Sequence, residues 1–347
     1  MNSLAILLSV LILSFIVTSI AIVPFIDLLY KLKFQRAQQD TRDAFGVLTP
    51  IFNKFHETKV GVPVGGGILV IGVVSILFAL LIPMMRSFGI EITTNYADIQ
   101  EEINILFFCF LSFGILGVYD DIKKFFKFQS SGFFGLRMKH KMFLEIILAF
   151  IISVMLHYNL GISIVHVPFI ATFELGVFYI PFATFVIVAF ANAVNITDGL
   201  DGLASGSLMI SLFGLWFLSS QILDIPVSIF LALLIGSLIS FLYFNVFPAR
   251  IFMGDVGSLA FGATLAVIGL LLGKVIALVV IGFIFVLEIS TSLIQLVSKK
   301  FFKRKIFPAA PIHLSLQKHG WEEPKIVQRA WLIQIMLTIF GVWLAVL

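Results

Sequence analysis

The chain has 347 residues, 60% of them hydrophobic and only 12% charged, with a mean hydropathy of +1.11. Those values exclude a soluble globular domain of this length. The one cysteine, Cys109, lies inside an apolar run, so no disulfide framework or zinc cluster is open to the chain. The net charge of +4 comes without the basic face or recognisable module that nucleic-acid binding needs.

Apolar runs of the length that crosses a bilayer, about 17–25 residues, fall at 4–30, 62–85, 103–119, 142–160, 175–193, 203–222, 225–244, 256–273, 275–298 and 330–347. The shortest gaps, near 223 and 274, separate runs that are hardest to divide. Ten such runs predict an all-α polytopic membrane protein, because backbone groups in lipid must be satisfied within each segment. Nothing divides residues 1–347 into separate domains. The first run has no Lys or Arg before it and no small-residue cleavage site after it, so it reads as a retained anchor.

Basic residues test the count, since cytoplasmic loops hold the excess. Loop one carries Lys31, Lys33, Arg36, Arg42, Lys54 and Lys59, and loop three carries Lys123, Lys124, Lys127, Arg137, Lys139 and Lys141. Loop seven has Arg250, and loop nine has Lys299, Lys300, Lys303, Arg304, Lys305, Lys318, Lys325 and Arg329. Of the chain's 23 basic residues only Arg86 and Lys274 fall on even loops. A miscounted span would scatter this pattern, so both termini are expected on the non-cytoplasmic side.

The polar motifs follow the same parity. In loop one, Gly65, Gly66 and Gly67 fit neither the P-loop nor the Rossmann spacing, and suit close helix packing better than phosphate binding. In loop three, Asp120 and Asp121 end the third run, where the helix dipole is already negative. They are either a solvated acidic-basic turn with Lys123, Lys124 and Lys127, or a pair of which one carboxylate takes a metal while the other meets substrate. Loop five is Asn192-Ala-Val-Asn-Ile-Thr-Asp-Gly-Leu-Asp-Gly-Leu-Ala-Ser-Gly206, with Asn192, Asn195, Asp198 and Asp201 three apart and so on adjoining parts of one helix face. It is either a polar turn with Asp198 or Asp201 as N-cap of the next helix, or a ligand site. In loop seven, Asp255 of Phe252-Met-Gly-Asp-Val-Gly-Ser258 is an N-cap or a ligand of a metal-bridged phosphate. Glu288 lies within the ninth run and needs a partner or a cavity. His313 in loop nine is a solvated loop histidine or a phosphate contact.

Several Asp residues with Lys and His at one membrane edge fit magnesium-assisted phosphoryl transfer, in which the metal offsets phosphate charge and the protein positions groups. One substrate is then a lipid and the other a soluble nucleotide or phosphate ester. A lipid flippase or transporter, the other class that ten spans allow, predicts charges along the spans and two similar halves, and the sequence has neither.

At these motifs the chain resembles the polyprenyl-phosphate N-acetylhexosamine-1-phosphate transferase superfamily, and most closely its phospho-N-acetylmuramoyl-pentapeptide transferase branch. The resemblance covers nearly the whole chain. It is most specific from Asn192 to Gly202, at Phe244-Asn245, at Phe252-Met-Gly-Asp-Val-Gly-Ser-Leu259, at Ala310-Pro-Ile-His313 and from Gly320 to Trp331. It implies transfer of phospho-N-acetylmuramoyl-pentapeptide from UDP-N-acetylmuramoyl-pentapeptide to undecaprenyl phosphate, forming lipid I and UMP in peptidoglycan synthesis. It also implies a single ten-span transferase domain in the bacterial inner membrane, with its active site facing the cytoplasm. Oligomeric state stays open, with a homodimer allowed.

By the same resemblance Asp255 matches the magnesium ligand, and Asp120 and Asp121 the paired acids, with Asp120 the better match to a base for the lipid phosphate. Asp198 matches an acid required for activity, with Asn195 beside it. Asp201, Asn245 and Phe252 match positions around the uracil, and Lys59, Lys124 and His313 positions near the phosphates. Two departures stand out. Val62 and Val64 replace threonines that flank the loop-one proline, and Leu314 and Ser315 follow His313 where the family has further histidines. These changes leave room for a related donor such as UDP-N-acetylglucosamine.

Overall fold

A computed structural model describes residues 3–36, 59–125 and 138–347. The basic residues Arg42, Lys54, Lys127 and Arg137 lie outside the described residues. The long helices are α1 (Ser3–Lys31), α2 (Gly66–Ser87), α3 (Ile99–Phe125), α4 (Met138–Tyr158), α5 (Tyr179–Thr197), α6 (Leu203–Gln221), α7 (Ile225–Asn245) and α8 (Gly254–Leu271). A hairpin of β1 (Ile164–Val167) and β2 (Ala171–Glu174) joins α4 to α5. After α8 come α9 (Val275–Ile281), α10 (Phe283–Val297), α11 (Ile312–Lys318) and α12 (Glu323–Val346).

Nine of the helices among the described residues are long and apolar enough to cross a membrane, and the bent pair α9 and α10 brings the number to ten if it forms one span. Exposure is reversed relative to a soluble protein: Ile20, Ile76, Leu80, Ile115 and Phe185 on helix flanks are all exposed, as lipid-facing positions should be. The chain is therefore a multi-span membrane protein, and the expected all-α architecture holds.

The expected span 275–298 is bent. It is two helices meeting at 82°, the second continuing through a π-helical turn over Ser298–Phe302. The break falls at Gly282, where a Cβ would lie 2.7 Å from the Phe190 ring. Backbone groups freed by a break in lipid need new partners. Gln334 of α12 donates to the Ile281 carbonyl and accepts from the Ile284 N–H at 3.3 Å, and Ser211 Oγ donates to the same carbonyl at 2.8 Å. The gap near 223 is a true turn, because Asp224 accepts from Val227 N at 3.3 Å and caps α7, with a proline in its first turn.

α7 and α8 run through the middle, almost wholly buried, with α1 along α7 and α3 and α5 along α8. Phe230 meets Phe78 and Phe110 edge-on at 5.3 and 5.1 Å, and Phe110 stacks on Phe261 at 5.9 Å. Glycines set the closest approaches. A Cβ on Gly67 would lie 2.4 Å from Gly257 Cα, and one on Gly117 2.4 Å from the Asp255 carbonyl oxygen. The small-residue packing read for Gly65–Gly67 is what α2 uses, and α3 owes its contact with the start of α8 to Gly117. Every ionic cluster described below lies at one end of the bundle, where α3, α5 and α7 end and α4, α6, α8 and α12 begin.

Candidate active site

The first cluster forms where α3 ends against α8. Lys124, one turn after Asp120, brings Nζ to 3.1 Å from Asp120 Oδ2, 3.6 Å from Asp121 Oδ1 and 2.7 Å from Asp255 Oδ1. Lys141 of α4 reaches Asp120 Oδ2 at 3.3 Å and also grips Asp255 Oδ2. The two adjacent carboxylates separate as helix geometry requires, about 100° per residue. Asp120 turns toward the lysines, while Asp121 Oδ2 accepts from Val256 N at 3.2 Å and caps the first turn of α8. Asp255 is not an N-cap: it sits inside the first turn of α8, where the positive helix end favours its charge. The tight turn before it uses Gly254 at φ +78, where a Cβ would lie 2.7 Å from Asp121 Oδ2.

The second cluster centres on Lys59. Its Nζ lies 2.7 Å from Asp201 Oδ1 and 2.6 Å from Glu323 Oε1, and donates to the Gly199 carbonyl at 3.3 Å. Asp201 Oδ2 accepts from Ala249 N at 2.9 Å. Neither Asp198 nor Asp201 caps α6, whose N-cap is Gly202. The Phe252 ring carries two cations, Arg36 at 5.5 Å and Lys59 at 5.8 Å from its centroid. Asn245 is buried and spends both amide groups on the fold, accepting from Ser205 Oγ at 2.6 Å and donating to the Ile251 carbonyl at 2.9 Å.

Residues at the end of α5 link the clusters. Asn192 Nδ2 donates to Glu145 Oε2 at 2.5 Å, and Asn195 Nδ2 to Ser258 Oγ at 2.8 Å. Asp198 lies near both Arg36 and Lys59; burial pushes its carboxyl up to about 7, the two cations pull it down, and Asp255 and Asp201 add to the rise. Burial lowers the pKa of the Arg36 guanidinium, opposed by Asp198, Asp201 and Glu323. His313 is buried, its Nδ1 3.0 Å from Glu288 Oε2 and its ring edge against Gly199, where a Cβ would come within 2.6 Å of Nε2. Glu288 thus has its partner.

Val64 N donates to the Phe34 carbonyl, Leu314 is in the interior, and Ser315 Oγ closes its own turn on the Ala309 carbonyl at 2.7 Å. Lys141, Glu145 and Glu323 escaped the sequence reading as site residues. Glu145, an acid within an apolar run, was the legible signal; Lys141 was one lysine among many, and nothing local marks Glu323.

Asp120, Asp121 and Asp255 supply only carboxylate oxygens, the donors a hard cation prefers. Among the described residues no three His, Cys, Asp or Glu side chains form a metal cage. The donor set fits magnesium held in its usual manner, by one or two carboxylates, with water and substrate phosphate in the other positions.

The family described as Glycosyl transferase family 4 matches residues 103–273, which takes in Asp120, Asp121, Lys141, Asp198, Asn245 and Asp255. A phospho-N-acetylmuramoyl-pentapeptide-transferase of Rickettsia montanensis is 39% identical over 306 residues, covering 82% of this chain and 80% of the relative. The protein of that name from Clostridium perfringens (strain 13 / Type A) is 37% identical over 318 residues, covering 91% of each.

Proposed function

Since the chain belongs to the phospho-N-acetylmuramoyl-pentapeptide-transferase family, we propose that its two ionic clusters are the two halves of one transfer site. The chain is a membrane-embedded transferase of peptidoglycan synthesis, moving phospho-N-acetylmuramoyl-pentapeptide from its UDP-linked donor to undecaprenyl phosphate and releasing UMP. An oxygen of the lipid phosphate attacks the phosphorus that bears the sugar. The bond from that phosphorus to the UMP oxygen breaks, and UMP leaves with the electron pair.

Lys124 and Lys141 bind and orient the phosphates, releasing Asp120 and Asp255 from their ion pairs as substrate enters. Asp255, with Asp120 or Asp121, would hold a magnesium ion, which when bound offsets the charge on the pyrophosphate. Asp120 would take any proton that the lipid phosphate still carries. That group is already mostly ionised near neutral pH, so positioning and charge neutralisation matter more than base catalysis.

Phe252 offers a ring face to the uracil, Lys59 and Arg36 attract the uridine phosphates, and Asp201 and Glu323 fix Lys59. Asn245 braces the Phe252 segment through the Ile251 carbonyl. His313 buttresses the Asp198–Gly199 turn from behind, while Asn195 ties α5 to α8. The site faces the cytoplasm of a bacterial inner membrane, a reading supported by the basic residues gathered on the loops at this end.

The single observation that carries the reading is the meeting of Asp120, Asp121 and Asp255, 135 residues apart in the Asp121–Val256 contact, around Lys124 and Lys141. Purified protein supplied with undecaprenyl phosphate and either UDP-N-acetylmuramoyl-pentapeptide or UDP-N-acetylglucosamine tests it. UMP should appear with the first donor, only with magnesium present, and vanish in Asp255→Ala. UMP from the second donor alone would reject the donor, and full turnover of Asp255→Ala would reject the metal ligand.

A further inference from the structure

The β1–β2 hairpin lies outside both ionic clusters, and its register gives one wholly apolar face and one mixed, largely polar face. Val165 pairs with Phe173 and Val167 with Ala171 on one face, while His166 pairs with Thr172 and Ile164 with Glu174 on the other, His166 Nδ1 lying 2.9 Å from Thr172 Oγ1. Successive strand residues point to opposite faces, so the ribbon is amphipathic. A lone two-stranded hairpin is marginal in water and needs a surface to lie on. β1 finds part of one in α9, where Val165 is buried.

The tip has no such cover. Phe169 and Ile170 are 77% and 74% exposed. Phe169 holds φ +64, a left-handed conformation that turns usually give to Gly or Asn and that costs a bulky residue energy. An aromatic ring there is expensive twice over unless something apolar receives it. The hairpin follows α4, a helix of 21 residues that begins beside the site and rises roughly 30 Å, so the tip is about a bilayer thickness from the chemistry. It also continues a lipid-facing strip. Phe169 lies 6.4 Å from Trp343, which stacks on Phe340 at 5.4 Å near the end of α12, on a flank whose apolar residues are exposed.

We propose that this hairpin is an interfacial anchor, with Phe169, Ile170 and Phe173 set into the headgroup–acyl boundary of the leaflet opposite the active site and the His166–Thr172 face turned to water. The occupant is the bilayer because the tip extends a surface whose lower part already lies in lipid, and a ring at the end of a span is the usual form of an aromatic belt. The hairpin carries no Lys or Arg, so apolar burial rather than attraction to anionic lipid holds it.

The chain's only cysteine, Cys109, is fully buried, so a cysteine introduced on the hairpin can be labelled selectively. Phe169→Cys and Thr172→Cys, each carrying an environment-sensitive fluorophore, are placed in phosphatidylethanolamine–phosphatidylglycerol vesicles, with UMP release as the check of folding and Ile170→Cys as a second tip position. The label at 169 or 170 should emit to the blue of that at 172, resist aqueous iodide, and be quenched about twofold more by shallow than by deep nitroxide lipids. Iodide quenching at the tip equal to that at 172 would overturn the proposal. So would protection from both iodide and nitroxide lipids, the result expected if a second copy of the chain covered the tip.

Discussion

The two ends of the bundle both bury acids, and they treat them differently. At the site end Asp120, Asp121, Asp201, Asp255 and Glu323 each lie against Lys59, Lys124 or Lys141. At the far end Glu102 and Asp224 are both fully buried, Glu102 Oε2 accepting from Thr94 Oγ1 at 2.6 Å and Asp224 Oδ1 from Val227 N at 3.3 Å, and among the described residues neither forms an ion pair with a lysine or arginine. Burial pushes the Asp224 carboxyl up. Burial therefore favours a neutral acid at the far end, which offers no exchangeable ion pair to a ligand. The site end instead stores separated charges that phosphates and a cation can enter by exchange. Buried ion pairs contribute little net stability, so five acids against three lysines at one end indicate binding rather than folding.

Breaking the site end at Asp255 should have the largest effect. Asp255→Asn removes the carboxylate that both lysines grip, and UMP release should fall at least about 1000-fold with the protein still folded, as losses of preorganised charge in active sites do. Opening the Lys59 cluster should be milder. Lys59→Met should raise the KM for the UDP donor about 10- to 100-fold with a smaller change in kcat, since a positioning contact to the uridine half is lost, and initial rates across donor concentration separate the two.

Asp198→Asn sharpens the comparison because it opposes function to stability. The folded carboxyl, raised to about 7, binds a proton that the unfolded chain has released above its ordinary pKa near 4. Stability from this group therefore declines as pH rises from about 4 to about 7 and stays lower above. The Asn variant, which cannot ionise, should melt higher than wild type at pH 8, with the difference shrinking as pH falls and gone below about pH 4, while turnover falls about 100-fold. The smallest effect is expected at the far end. Glu102→Gln should leave UMP release within about twofold of wild type and raise the thermal midpoint at pH 8, where the neutral amide replaces an acid without a cation.

Much of this contrast was legible in the sequence, because lysine parity and span length are strong signals that survive without tertiary detail. That Asp120, Asp121, Asp198 and Asp255 share one end followed from counting spans. What local pattern hid was the partner of each acid. Asp121 reads like Asp120 until α8 docks and takes it as a cap. Asn245 and His313 read as ligand contacts, yet the Ile251 carbonyl and Glu288 claim them in the fold. The bend at Gly282 was hidden because its freed carbonyl is satisfied by Gln334, distant in sequence and polar only where the break requires it. The hairpin was missed because four-residue strands between two spans leave no periodicity to read.

The most direct test of a single site with two halves is UMP release by purified protein from UDP-N-acetylmuramoyl-pentapeptide and undecaprenyl phosphate, across a magnesium titration, with wild type, Asp255→Asn and Lys59→Met compared. The account predicts magnesium-dependent turnover in wild type, none in Asp255→Asn, and in Lys59→Met a defect that rising donor concentration largely repairs. Turnover in Asp255→Asn that keeps the wild-type magnesium dependence would contradict it.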